Sequence, residues 1–259
     1  MSHLFMARHY NRAMGTMDEL EVAAARIDLA AAFRLAVRMD LHEGVCNHFS
    51  FMFPGDKGFL LNRFGLHWSE VTASNLLTLD AEGNVLEGEG EFEKTAFYIH
   101  SRIHLANPRA ACVLHTHMPH ATALTLLENG RLEMVEQNAL RFHDDIAYDD
   151  TYNGLVVDHA EGDRLARVLG TKRVMFLANH GVIVVGPSVA EAFDLLYYLE
   201  RACRLQVLAR SMGGKLKAVR AEVVRETYRM ILADTPKYAS AHFGALKRIL
   251  DREAPDYSH

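Results

Sequence analysis

The sequence has little cysteine, no long apolar run and no excess of positive charge, and each shortage closes off a class of protein. Three cysteines in 259 residues, Cys46, Cys112 and Cys203, stand far apart and lack metal-type spacing. They exclude a disulfide framework, fit a reducing compartment and read as packing residues. No apolar run approaches the roughly 18 residues of a membrane span. Residues 1–16 carry charged and polar groups where a signal peptide has its apolar core. The expected location is cytoplasmic, with no membrane partner. A formal net charge of -5 leaves no basic surface to coat with phosphates, so nucleic acid is not an expected partner. Internal repeats and low-complexity segments are also missing.

What remains is ordinary for a globular chain: 49% hydrophobic and 24% charged residues. The length suits one large α/β domain with a substantial core. Residues 17–259 are expected to form it, preceded by an extension over 1–16. Residues 17–41 contain no proline and place Leu20, Ala24, Ile27, Ala31 and Leu35 at helical spacing. Strand-like runs follow at 49–53, 58–61 and 76–79, separated by Pro54-Gly55-Asp56 and Ala81-Glu82-Gly83-Asn84 turns. A helix over 94–106 stops before Asn107-Pro108 and leads into an apolar strand at 110–114. Helices are expected at 119–128 and 161–169, then a strand pair at 174–178 and 182–185. The tail reads as helices over 189–211, 221–232 and 240–251. This order predicts a three-layer α/β/α sandwich around a mainly antiparallel or mixed sheet.

Two histidine segments interrupt that pattern. His115-Thr116-His117 follows one buried run, and Asn179-His180-Gly181 separates two others. Side chains two apart on a strand share a face, so His115 and His117 can address one ion. His180 reaches it from a second strand end, and three imidazoles leave a coordination position open for water or substrate. His100 and His104, four apart on the predicted helix, imitate a second metal pair.

The chain resembles the class II aldolase/adducin family over about residues 20–208. The resemblance rests on His115-Thr116-His117 after an apolar strand, on residues 176–182, and on Ala192-Phe193 with residues 198–203 in the following helix. Upstream, Asn47-His48-Phe49-Ser50 and the helix carrying Ile99-His100 and Ile103-His104 also match. The resemblance implies an α/β/α fold and a homotetramer with active sites between subunits. It implies one divalent ion per subunit on His115, His117 and His180, with zinc placed ahead of manganese, iron and cobalt. His48 falls in the family's substrate-pocket turn, and Asn62, Arg63 and Gly65 fall in another turn expected to contact substrate. His100 and His104 are expected to pack or to support the site from behind.

One departure changes the expected chemistry. Sugar-phosphate aldolases of this family carry a Ser-Ser-Glu-like triplet, and gapless counting places Lys94, Thr95 and Ala96 there. Alanine moves no proton. Glu93 is the expected substitute, with Glu91 second, and Tyr148 a candidate proton donor. Arg141, His143 and Tyr152 are better explained by packing or solvation. Loss of the serine pair argues against a phosphorylated substrate, while Lys94 and Thr95 remain candidate substrate contacts. The expected function is a metal-dependent carbon–carbon lyase, aldolase or decarboxylase, working through a metal-stabilised enolate on a small oxygenated, carboxylated molecule. An iron-dependent oxygenase and a noncatalytic adducin-like interaction protein are the alternatives.

Overall fold

Alternation along the strands decides which side chains meet which helices. The computed structural model describes residues 18–55 and 58–259, so the expected extension over 1–16 lies outside the described residues. The strands are β1 (His48–Met52), β2 (Phe59–Leu61), β3 (Leu77–Leu79), β4 (Val85–Glu87), β5 (Cys112–Thr116), β6 (Ile146–Asp149), β7 (Val174–Leu177) and β8 (Gly181–Gly186). They form one sheet in the order β4-β3-β2-β1-β5-β8-β7-β6. Every pairing is antiparallel except β6 with β7, so the sheet is mixed.

Phe49, Leu114, Val184 and Val174 lie in one cross-strand row. They pack in a core with Leu29 and Phe33 of α1 (Glu19–Arg38) and Phe193 and Leu199 of α5 (Val189–Ser211). On the opposite face, Val113, Ile183, Val185 and Met175 meet Ile99 and Ile103 of α2 (Lys94–Ala106) and Leu165 and Leu169 of α4 (His159–Leu169). Helices therefore cover both faces, as the element order predicts. The remaining helices are the short α3 (Pro119–Thr125) and the long α6 (Ala221–Glu253).

Several boundaries differ from expectation for identifiable reasons. In α1 the buried stripe runs through Ala25, Leu29, Ala32 and Ala36, while Leu20 is 81% exposed. Alanine-rich sequence supports more than one helical stripe, and packing selects among them. The helix starts at Asp18, whose side chain accepts from Glu21 N while Glu21 returns a bond to Asp18 N. Strands β4 and β6 were not expected. β4 is an exposed edge hairpin partner, and β6 pairs only with β7. The two predicted tail helices are one 33-residue helix that continues through Pro236. Proline removes one helical N–H, and here it lies on the exposed side of the helix.

Candidate metal centre

Register builds the site. Pairing of β1 with β5 sets His48 directly opposite His115, so both rings stand on the sheet face that carries Ile183 and Met175. Their rings stack with centroids 4.7 Å apart. His115 lies inside β5 rather than after it, and His117 lies one residue beyond the strand. His180 occupies the tight turn joining β7 to β8, where Asn179 adopts a left-handed φ of 57° and His180 N donates to Leu177 O. Gly181 lets this turn close on its neighbour. A Cβ there would meet Thr116 O at 2.5 Å and the His117 ring at 2.8 Å.

The three rings converge, with one nitrogen of each lying within 4.8 Å of the others. His115 Nδ1 donates to Val182 O at 3.0 Å. His117 Nδ1 donates to Glu43 Oε2 at 2.5 Å. In a neutral ring with its proton on Nδ1 the Nε2 atom is an acceptor, and the two Nε2 atoms stand 3.2 Å apart. Two lone pairs at that distance repel unless a cation or proton lies between them. Nitrogens sharing a tetrahedral zinc at about 2.0–2.1 Å stand about 3.3 Å apart, so the donor set fits a divalent ion. The outer partners are of the kind that orient metal-binding imidazoles.

Burial drives His115 and His180 toward the neutral form that coordination requires. His115 is held well below the usual histidine range by burial and then by His48, His180 and His117. His180 is pushed down to about 4 by burial and then by His117, against the attraction of Glu43. His48 is lowered first by burial and then by His100, His117 and His180.

A cavity of about 420 Å³ opens over the cluster. Among the predicted site residues, His48, Glu93 and Thr95 line it with the three histidines. Glu93 also caps α2, accepting from Ala96 N at 2.7 Å. Ala96 itself is fully buried beside Phe59, Leu61 and Leu79, so the cavity-facing residues of this stretch are Glu93 and Thr95. Asn62, Arg63, Gly65 and Lys94 do not line the cavity. Asn62 is buried, and Arg63 packs over Gly90. Tyr148 is placed elsewhere: its hydroxyl accepts from Leu132 N at 3.2 Å, and it lines a separate cavity with Thr125, Arg131 and Asn179.

Some contributors escaped the sequence reading. Glu43 lies in the loop before Asn47-His48, and Asn47 Oδ1 ties that loop together by accepting from Glu43 N and His117 N. Two other departures are at the cavity wall. Cys46 is exposed there rather than packed in the core, and Tyr152 faces His180 with ring centroids 6.3 Å apart. The general need of a metal-binding imidazole for a carboxylate partner was the one available signal for Glu43.

Comparison with known proteins agrees with this architecture. The profile of the class II aldolase and adducin N-terminal domain matches residues 27–207. A Pseudomonas aeruginosa protein with a provisional class 2 aldolase name is 33% identical over 253 residues, spanning 92% of this chain and 95% of that one. An aldolase II superfamily protein from Pseudomonas syringae superposes with a TM-score of 0.86 at 36% identity, covering 92% of this chain and 96% of the other. An L-fuculose 1-phosphate aldolase from Glaciozyma antarctica PI12 gives 0.79 at 26% identity, covering 92% of each. With the profile spanning well over half its length, the chain belongs to the class II aldolase and adducin family.

Proposed function

We propose that this protein is a metal-dependent carbon–carbon lyase, of aldolase or decarboxylase type, acting on a small oxygenated, carboxylated and nonphosphorylated substrate. The observation that carries this reading is the convergence of one nitrogen each of His115, His117 and His180 to within 4.8 Å of one another under a cavity. These three histidines would hold one divalent ion per subunit, with zinc ahead of manganese, iron and cobalt. When bound, such an ion supplies a Lewis acid for substrate oxygen.

The chain's own residues do the rest. Val182 O and Glu43 keep two rings oriented. Glu93 is the carboxylate of its stretch that faces the cavity, and proton transfer is assigned to it. Thr95 offers a hydroxyl to substrate. The cavity lining contains no arginine or lysine among the described residues. Asn62, Arg63, Gly65, Lys94 and Tyr148 take no part in this reading.

Elemental analysis should find about one ion per subunit. A carbonyl- and carbon dioxide-release screen of hydroxy- and keto-acids should then find turnover with metal-loaded protein. Inactivity across both acid classes would overturn the lyase reading, and oxygen uptake that follows iron would select an oxygenase. The family's adducin branch supplies a second reading, a noncatalytic interaction domain, favoured by the burial of Ala96 in apolar surroundings. Failure of wild-type protein to bind any divalent ion would select it. We also propose a homotetramer in the cytoplasm. Leu205, Leu208 and Met212 near the end of α5, and Met230 and Tyr238 on α6, provide exposed apolar surface for subunit packing. Sedimentation equilibrium giving a single-subunit mass would overturn the assembly. No described helix is long and apolar enough to cross a membrane.

A further inference from the structure

Behind His48 lies a continuous file of buried polar groups that the metal cluster does not use. His48 Nδ1 meets His100 Nε2 at 2.7 Å, and His100 Nδ1 meets Ser50 Oγ at 2.5 Å. Ser50 Oγ meets His104 Nε2 at 2.7 Å, and His104 Nδ1 meets Ala110 O at 2.5 Å. His48, Ser50, His100 and His104 are all at most 6% exposed.

One end of the file sets its direction. A backbone carbonyl only accepts, so His104 carries its proton on Nδ1. Burial pushes the His104 pKa down to about 4, which keeps the ring neutral and leaves Nε2 as an acceptor. Ser50 must donate its single hydroxyl proton there, so toward His100 its oxygen can only accept. His100 therefore carries its proton on Nδ1 and accepts at Nε2. His48 must donate from Nδ1, which leaves its Nε2 bare. Any reversal requires a charged ring within a fully buried chain, which burial opposes.

We infer that this file holds His48 as a hydrogen-bond acceptor toward the cavity, so that His48 selects a substrate hydroxyl there. Ser50, His100 and His104 are positioning residues that act through His48. The inference rests on the proposed lyase for the existence of a substrate, whereas the placement of the protons does not. A site built to accept from a hydroxyl discriminates strongly against a ligand lacking it, because the buried acceptor is then left unpaired.

Neutron diffraction from a deuterium-exchanged crystal at neutral pH, without added metal, tests the file directly. Deuterium is expected on Nδ1 of His48, His100 and His104 and not on Nε2 of His48. Deuterium on His48 Nε2, with or without Nδ1, would overturn the inference. A binding comparison on zinc-loaded protein tests the selectivity, using glycolate, which has a hydroxyl beside its carboxylate, and acetate, which has none. The wild-type preference for glycolate is expected to fall roughly tenfold in Ser50→Ala and to return in Ser50→Thr. An unchanged preference in Ser50→Ala would overturn the inference. If Ser50→Ala fails to fold, the neutron result on wild-type protein still decides it. Wild-type protein that binds no zinc would remove the proposed lyase while leaving the neutron result to stand alone.

Discussion

Two groups of histidines sit on one face of the same sheet and do opposite things with their ring nitrogens. In His115 and His117, Nδ1 is tied outward to Val182 O and Glu43, and the Nε2 atoms point at each other. In the file of His48, His100 and His104, each Nδ1 is tied to the next member or to Ala110 O, and every nitrogen but one is consumed. Burial depresses His115, His100 and His104 alike. Density of imidazole and low pKa therefore do not distinguish a metal site from a structural chain. The distinction lies in whether the leftover lone pairs converge on one point.

The largest test of that distinction removes one convergent lone pair. His115→Ala is expected to lower bound metal from about one ion per subunit to near zero, with activity lost alongside, as elemental analysis and the release screen would read. His104→Phe removes a member of the file instead. It should leave metal content near one ion per subunit, because no convergent nitrogen is touched. Loss of metal in both variants would erase the difference between the groups.

The next test reads the file through pH. His104 has a folded pKa of about 4 against 6.5 for a free histidine, because burial disfavours its charged form. Its contribution is therefore fully present above about pH 6.5 and is lost as pH falls toward 4, the unfolded chain binding the proton first. The shift corresponds to about 3 kcal/mol. Urea midpoints followed across that window should fall with falling pH in wild-type protein and fall less in His104→Phe. Equal slopes would mean that His104 is not buried neutral.

A smaller effect is expected where the convergent group is supported from outside. Glu43→Ala leaves all three converging nitrogens in place but frees the His117 ring. A 10–100-fold loss of metal affinity is expected, as for other outer partners of metal-binding histidines. Competition with a chromogenic chelator would measure it, and unchanged affinity would assign the Glu43 contact to loop packing alone.

How much of this was legible in the sequence follows from where each interaction comes from. The span of α2 could be read to the residue because its ends are local: Glu93 caps it and Pro108 prevents its continuation. The convergence of His115, His117 and His180 was legible because strand alternation and a turn are also local. Glu43 was not, since its partner His117 is 74 residues away and nothing near Glu43 marks it. The file behind His48 was only half visible. Helical spacing put His100 and His104 on one face, but their connection through Ser50 depends on how α2 packs on β1. Strand β6 escaped because it is short and borders the sheet, with three of its four side chains only half-buried. The continuity of α6 through Pro236 escaped because a local rule against proline was outweighed by helix on both sides.

The smallest expected effect concerns the turn that delivers His180. Asn179 holds a left-handed φ of 57°, a conformation asparagine tolerates better than most residues and glycine better still. Its backbone N donates to Thr125 O, a contact that glycine would keep. Asn179→Gly should relieve local strain while loosening the unfolded chain, and the two effects oppose each other to within about 1 kcal/mol. If the backbone turn alone aims His180, metal affinity should stay within about twofold of wild type, since about 0.4 kcal/mol is all that such a change represents. If affinity instead falls as far as in Glu43→Ala, the Asn179 side chain takes part in holding the convergent group. The metal centre would then depend on side-chain support at two of its three histidines, narrowing its difference from the buried file.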